Sequence, residues 1–93
     1  MSLTLSSRLV LDPHVRFRRF EEEGVIVNQK NAEALVVNEV GARLLEVADG
    51  NRTIAECAAL LVDEFDEARA VIEQDLLAFA GALVDAGVAV AEP

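Results

Sequence analysis

The fold of this chain is decided by residues 35–56, which read LVVNEVGARLLEVADGNRTIAE. A β-branched run predicts a strand, and Asn38 follows it as a residue whose side chain accepts hydrogen bonds from free helix amides. Gly50 can adopt the left-handed conformation that ends a helix, and residues 53–56 match a capping box that starts another. The first helix carries an apolar stripe at helical spacing, formed by Val40, Leu44, Leu45, Val47 and Ala48. The stretch therefore predicts a strand feeding two helices joined by a tight turn.

Upstream of this stretch the pattern predicts an antiparallel meander of three short strands. Apolar runs fall within residues 15–22, 25–27 and 34–37. They are separated by Glu23-Gly24 and by the polar residues 28–31, which are typical of turns.

The first 14 residues are predicted to be a loose arm or a poorly paired strand. Proline lacks an amide donor and restricts the residue before it, so any strand should end at Asp12-Pro13. We therefore divide the chain into an N-terminal arm, residues 1–14, and one domain, residues 15–93.

Downstream, the second helix is predicted to present one apolar face made of Ile54, Cys57, Ala58, Leu61 and Phe65. Asp66 is a plausible cap for a last helix spanning about residues 67–86, which Gly87 would end. Residues 88–90 could add a short strand or wing. The predicted fold class is α+β, a three-stranded antiparallel sheet followed by three helices.

Composition excludes several classes of function. Eight basic residues face 17 acidic ones, a net charge of -9, so no nucleic acid and no anionic membrane is expected as a partner. The basic cluster around Arg18 is interpreted as a solvated strand face. No signal sequence opens the chain and no apolar run approaches the ~20 residues of a membrane span, which predicts a cytoplasmic protein.

No catalytic or metal site is expected. His14 is the single histidine, Cys57 is the single cysteine and lies in an apolar helical pattern, and no glycine-rich phosphate loop is present. The acidic residues fall in turns and helix ends, where solvated carboxylates are common, and Asp63 with Asp66 and Glu67 is a weak metal candidate. The sequence therefore predicts a protein without catalytic residues, metal or cofactor.

The last helix is unusually apolar, since residues 76–84 read LLAFAGALV without a charge. One stripe comprises Ile72, Leu76, Phe79 and Leu83, and a second comprises Leu77, Ala80 and Val84. Either the helix is sandwiched deeply between its neighbours, or its second stripe is exposed at a partner site. Residues 33–38 would form the sheet edge beside it, and such an edge can take up another strand.

Taken together, this pattern resembles the PqqD-like family of pyrroloquinoline quinone biosynthesis, also called RiPP precursor peptide recognition elements. The resemblance spans about residues 13–90. The matching residues are Val37-Asn38, Ala42, Leu44-Leu45, Asp49-Gly50, Arg52-Thr53-Ile54, Leu60-Leu61, Phe65 and residues 83–88.

The resemblance implies a winged helix-turn-helix-like fold and a non-catalytic peptide-binding chaperone. Such domains capture the leader of a ribosomally made precursor as an added strand. They present it to a modifying enzyme, in several pathways a radical S-adenosylmethionine enzyme. Carried over by position, the peptide-binding residues would be Ala34, Leu35, Val36 and Val37 of the strand, with Arg69, Ile72, Glu73, Leu76, Phe79 and Ala80 of the last helix.

The chain also departs from the family. Members devoted to the quinone pathway commonly carry Trp or Tyr and a Pro-Glu-Gly-type turn between the second and third strands. Here Trp and Tyr are absent and that turn is Asn28-Gln29-Lys30-Asn31. This departure leaves the pathway open, with another peptide or an uncharacterised gene cluster as the alternatives to the quinone pathway.

Three other functions compete with peptide binding. A winged-helix DNA-binding regulator needs a basic recognition helix, but residues 53–65 carry no Lys or Arg. An acyl carrier protein needs a serine at a helix start, and the only serines, Ser2, Ser6 and Ser7, lie in the N-terminal arm. A plain oligomerisation domain could use the apolar last helix, which leaves a homodimer open.

Overall fold

The computed structural model describes residues 3–92, which form one α+β unit. Its elements are β1 (Arg8–Leu11), β2 (Val15–Phe20), β3 (Glu23–Asn28), β4 (Glu33–Val37), α1 (Glu39–Val47), α2 (Ile54–Phe65), α3 (Arg69–Asp85) and β5 (Ala89–Glu92). The strands β2, β3 and β4 form an antiparallel meander in chain order, and the three helices follow. The predicted fold class is confirmed.

A second, two-stranded sheet joins the two ends of the chain. Strand β1 pairs antiparallel with β5, from Arg8 opposite Glu92 to Leu11 opposite Ala89. Leu9 is only 1% exposed, and the amide of Ile54 donates to the carbonyl of Ser7 over 2.9 Å. The segment predicted as a loose arm or a poorly paired strand thus forms a paired strand with a core residue, because β5 gives the backbone groups of residues 8–11 partners. Met1 and Ser2, also assigned to that arm, lie outside the described residues.

The turn between β2 and β3 lies two residues earlier than predicted. Phe20 pairs with Glu23, so Glu21 and Glu22 form the turn, and Glu21 has a φ of 55°. Gly24 is instead a buried strand residue. A β-carbon built there would lie 2.5 Å from the ring of Phe17, so this glycine makes room for an aromatic side chain.

The predicted N-caps of α1 and α2 are confirmed, whereas α1 ends at Val47 with Ala48 as its C-cap and not at Gly50. The side chain of Asn38 accepts from the amide of Gly41 over 2.9 Å. In the capping box, the Thr53 hydroxyl accepts from the Glu56 amide over 3.1 Å, and the Glu56 carboxylate accepts from the Thr53 amide over 2.9 Å. Gly50, at φ +84°, lies in the turn between these helices. These local hydrogen bonds satisfy amides that a helix start leaves free.

Asp66 ends α2 rather than starting α3. Its backbone is left-handed, with φ 49° and ψ 44°, a conformation that Asp tolerates better than most residues. Helix α3 begins only at Arg69, and its N-cap, Ala68, makes no side-chain capping bond. The prediction that Asp66 caps the last helix was wrong, because the aspartate serves the preceding helix.

The core lies between the helices and the inner face of the meander. Its fully buried large side chains are Leu9, Ile26, Leu44, Ile54, Leu61, Ile72 and Leu76. The predicted face of α2 is confirmed, with Ile54, Cys57, Ala58 and Leu61 buried and Phe65 packed at the margin. Burial of this aliphatic surface is the main favourable contribution to folding.

Candidate functional site

Strand β4 forms an open edge of the three-stranded sheet. In the order β2-β3-β4 it pairs with β3 alone, and within residues 3–92 no other element packs extensively against it. Leu35 is 41% exposed and Val36 is 68% exposed, unusual values for aliphatic strand residues. The outer side of such a strand presents amides and carbonyls that an added strand can satisfy.

The register assigns the side chains of β4 to two faces. Leu35 lies opposite Ile26, which is 1% exposed, so Leu35 belongs to the inner face of the sheet, the side of the helices. Val36 lies opposite Val25 and belongs to the outer face. A ligand lying between β4 and the helices would therefore meet Leu35 and not Val36.

Two depressions lie along α3, one beside β4 and one beyond its end, between α3 and the first turn of α1, and together we call them the β4–α3 groove. The first, about 230 Å³, is lined by Ile26, Asn28, Glu33, Ala34, Leu35, Ala86 and Val88. The second, about 200 Å³, is lined by Asn38, Val40, Gly41, Asp75, Ala78 and Phe79. Each has room for a side chain, since one water takes ~30 Å³ of liquid. The groove thus runs from the start of β4 and the end of α3 to the middle of α3.

Only part of the predicted site lies in this groove. Ala34, Leu35 and Phe79 line it, whereas Val36 faces the outer side and Val37 is 7% exposed in the core. On α3, Ile72, Leu76 and Ala80 are at most 1% exposed and form the core face of the helix. The expectation that these three side chains face the groove was wrong.

Arg69 and Glu73 also point away from β4. The Nε of Arg69 donates to the Glu73 carboxylate over 3.0 Å, and its Nη2 donates to the carbonyl of Ala55 over 3.4 Å. This pair therefore fastens the start of α3 to α2. Whether either residue contacts a peptide stays a prediction.

The face of α3 that lines the groove carries one acidic residue, one aromatic residue and several small ones. Asp75, Ala78, Phe79 and Ala86 line it at helical spacing, and exposed Ala82 falls on the same face. Sequence reasoning missed Asp75, Ala78 and Ala86 because it followed apolar residues, and the most apolar face of this helix packs into the core. The 3.6-residue spacing of these positions was the available signal.

The second apolar stripe of α3 is covered from within the chain. Leu3, Leu5, Leu77 and Val84 all pack against the core cluster, and Ala80 is fully buried. A β-carbon at Gly81 would lie 4.0 Å from Leu3. The high apolar content of α3 therefore reflects its burial between neighbouring elements. This is the first of the two interpretations given in the sequence analysis.

Phe79 closes one end of the groove against Gly41. A β-carbon at Gly41 would lie only 2.7 Å from two ring atoms of Phe79, so the ring rests on the bare backbone of α1. Gly41 is buried and follows the cap Asn38 by three residues. This end of the groove therefore depends on a glycine that sequence analysis did not single out.

Four charged residues outside the groove form a network of ion pairs on β2, α1 and α2. Arg43 makes a two-pronged contact with Glu64, with both N–O distances 2.8 Å, and also reaches Glu46 over 3.0 Å. Arg19 reaches the same Glu46 carboxylate over 2.7 Å. The hydrogen bonds from Arg43 hold the pKa of Glu64 below its usual value of 4.5. This network ties β2, α1 and α2 together.

The single cysteine and the single histidine lie in different environments. Cys57 is fully buried, and burial raises the pKa of its thiol. His14 lies on the surface and pairs with Asp12 over 3.1 Å. In the described part of the chain, no three His, Cys, Asp or Glu side chains gather as metal ligands would. None of the helices formed by residues 3–92 has the length and apolar content needed to span a bilayer.

A family model described as coenzyme PQQ synthesis protein D (PqqD) matches residues 23–89, about seven-tenths of the chain. The chain belongs to the PqqD family. The matched segment runs from β3 to the start of β5, so it includes β4, α3 and every residue that lines the β4–α3 groove. No curated protein sequence matches significantly.

Solved structures with the same fold include the PqqD truncation of Methylobacterium extorquens PqqCD, a solution NMR structure presented as a stand-alone RiPP recognition element. It is 23% identical, covers 96% of this chain and 95% of its own, and has a TM-score of 0.83. Lasso peptide synthetase B1 complexed with its leader peptide is 20% identical, covers 89% and 98%, and has a TM-score of 0.78. TbiB1 in complex with the TbiA(beta) leader peptide is 19% identical, covers 86% and 93%, and has a TM-score of 0.76. At these identities the likeness establishes that this PqqD family member shares their fold.

Proposed function

We propose that this PqqD family member binds the leader segment of a ribosomally made precursor peptide as an added strand on β4. One observation carries the proposal: an open strand edge with exposed aliphatic residues lies beside a groove walled by α3. Main-chain hydrogen bonds to β4 would supply affinity, and side-chain depressions would fix the register.

In the proposed complex, alternate side chains of the leader enter the β4–α3 groove. Because a strand alternates faces at every residue, half of the leader side chains would point toward α3 and half toward the outer face. The inward ones would meet Leu35 of β4 and Phe79 of α3. The small residues Ala78 and Ala86 on α3 leave space for a backbone to lie close to the helix.

Relatives of the same fold support this proposal. Two of the solved structures are complexes with leader peptides, and the M. extorquens domain is presented as a functional, stand-alone recognition element. A recognition element of this kind acts as an adaptor and not as an enzyme. The buried thiol of Cys57 and its separation from surface-exposed His14 are consistent with that role.

The proposal includes a modifying enzyme as the second partner. The leader-bound adaptor would deliver the core segment of the precursor to that enzyme, for which a radical S-adenosylmethionine enzyme is our candidate. We propose that adaptor, precursor and enzyme meet in the cytoplasm, where a ribosomally made precursor is released. We include no homodimer in the proposal, since the apolar face of α3 that suggested one is covered by residues 3–5.

Titration of the isotopically labelled protein with the leader of the precursor encoded beside its gene tests the proposal. The amide signals of residues 33–37 and of the groove face of α3 should shift, with a Kd of about micromolar or below. Signals of Glu56 and Ala59 on α2, remote from the groove, should stay in place. Absence of shifts in β4 and α3 at ligand concentrations of about 1 mM would overturn it.

A further inference from the structure

We propose that the β4–α3 groove selects a leader segment with basic residues at alternate, inward-facing positions on either side of an apolar residue. The inference rests on the proposed function, since it assumes that the groove receives an added strand. The charges that line the groove indicate which side chains the added strand should carry.

A carboxylate stands at each end of the groove. Glu33 lines the first depression and Asp75 lines the second, whereas no Lys or Arg lines either. One oxygen of Glu33 accepts from the Asn31 amide group over 2.7 Å. The carboxylate of Asp75 accepts no hydrogen bond and forms no ion pair within residues 3–92. Both carboxylates can therefore take a cationic side chain from a ligand.

This availability sets the two apart from the paired carboxylates of the chain. Glu46, Glu64 and Glu73 each contact an arginine at 3.0 Å or less. With a net charge of -9, the whole chain also attracts a cationic peptide and repels an acidic one. Charge complementarity therefore points to a basic occupant.

The spacing of the basic residues follows from strand geometry. Glu33 and Leu35 both lie on the inner face of β4, and Asn38 beside Asp75 marks the other end of the groove. The five steps from Glu33 to Asn38 span about 16 Å, and residues i and i+4 of an added strand lie about 13 Å apart, at ~3.3 Å per residue. The long stems of two basic side chains cover the difference. An added strand places residues i, i+2 and i+4 on this face, so the pattern is basic-x-apolar-x-basic. It is the same for a parallel or an antiparallel strand, because the pattern reads identically in both directions.

Three capped 11-residue peptides, identical except for their central five residues, test the inference beside the natural leader. The first carries Lys-Thr-Leu-Thr-Lys and the second carries Thr-Lys-Leu-Lys-Thr, which has the same composition with the lysines turned outward. The third carries Glu-Thr-Leu-Thr-Glu. We expect the first to bind at least about threefold more tightly than the second and more tightly still than the third, with shifts in β4 and α3.

A charge-reversed protein provides the second arm. The double variant Glu33→Lys, Asp75→Lys should prefer the glutamate peptide over the first lysine peptide. The double variant Asp63→Lys, Glu67→Lys, which makes the same change of net charge at exposed positions away from the groove, should keep the original preference. Circular dichroism and thermal melting establish that both variants are folded.

The outcomes separate this inference from the proposed function. If the natural leader shifts β4 and α3 but the lysine peptides show no preference, or fail to bind, the inference is overturned and the proposed function stands. If the leader itself produces no shifts, both fail. Equal behaviour of the two double variants would show that net charge alone drives binding, and this would also overturn the inference.

Discussion

The ring of Phe79 on α3 rests on the backbone of Gly41 on α1, so closely that a β-carbon at Gly41 would lie 2.7 Å from the ring atoms Cε1 and Cζ. Both residues line the second depression of the groove. The contact therefore sets how near α3 approaches the first turn of α1, and with it the width of one end of the groove.

Substitution Gly41→Ala is expected to destabilise the protein, although an alanine normally favours a helix over a glycine by about 0.5–1 kcal/mol. The added methyl must displace the Phe79 ring, and overpacking of this kind costs about 1–3 kcal/mol. Urea denaturation should show a lower midpoint than in the wild type. In a Phe79→Leu background the loss should shrink, which a double-mutant cycle measures.

Gly81→Ala is the matched control, since it adds the same methyl to α3 where a β-carbon would lie at an ordinary contact distance, 4.0 Å from the Leu3 side chain. It should be neutral or stabilising by up to about 1 kcal/mol. The steric account of Gly41 fails if the two alanines change stability in the same direction.

The two faces of β4 predict opposite outcomes for neighbouring substitutions. Leu35→Asp puts a charge into the first depression and should weaken leader binding by at least about tenfold, roughly 1.4 kcal/mol. Val36→Asp, on the more exposed outer face, should leave binding within about threefold. Isothermal titration with the natural leader measures both Kd values, and melting curves check that both variants are folded. A larger loss of affinity from Val36→Asp than from Leu35→Asp would show that the peptide binds the outer face of the sheet, which would contradict the proposed site.

The capping box of α2 predicts a stability cost without a binding cost. Thr53→Ala removes the hydroxyl that accepts from the Glu56 amide, and the loss should be about 1 kcal/mol in chemical denaturation. Ser6→Ala, an exposed hydroxyl substitution in the N-terminal segment, should stay within about 0.5 kcal/mol of the wild type. Leader affinity should be unchanged in both variants, because neither residue lines the groove. Equal stability of the two variants would contradict a capping role.

The Arg43–Glu64 contact predicts a loss of stability in acid. The pKa of Glu64 is held below 4.5 in the folded protein by hydrogen bonds from Arg43, so the unfolded chain takes up its proton at a higher pH. The contribution of this contact is therefore complete above pH 4.5 and declines as the pH falls through the pKa of the folded state. Denaturation between pH 7 and pH 3 should show this decline.

Glu64→Gln should flatten the acid limb of that stability curve, and Arg43→Met should have a similar effect because it removes the donor. A curve that keeps its full slope in both variants would assign the acid sensitivity to other groups. Destabilisation of the Glu64→Gln variant that persists unchanged at pH 3 would likewise contradict the assignment.

Sequence reasoning succeeded where the decisive interaction spans only a few residues. The bond from Gly41 to Asn38 and the reciprocal bonds of Thr53 with Glu56 each close over three positions, so residue order alone specified them. The meander and the order of the helices followed from the same local signals. The position of the β2–β3 turn was mispredicted because Gly24 is not a turn residue. It makes room for the ring of Phe17 on the neighbouring strand.

The sequence by itself determined the meander, the three helices, their order, the N-caps of α1 and α2 and the likeness to the PqqD family. The tertiary structure alone decided which face of α3 meets β4, and that β1 closes against β5 at the far end of the chain. A helix with apolar residues on most of its sides could bury any of several faces, and the packing of neighbouring elements decides which face is buried. Packing of Ile72, Leu76 and Ala80 into the core fixed the orientation of α3 and left Asp75 and Ala78 in the depression beside Asn38 and Gly41, just beyond the end of β4. Such choices depend on the summed burial of distant segments, which no short stretch of residues specifies.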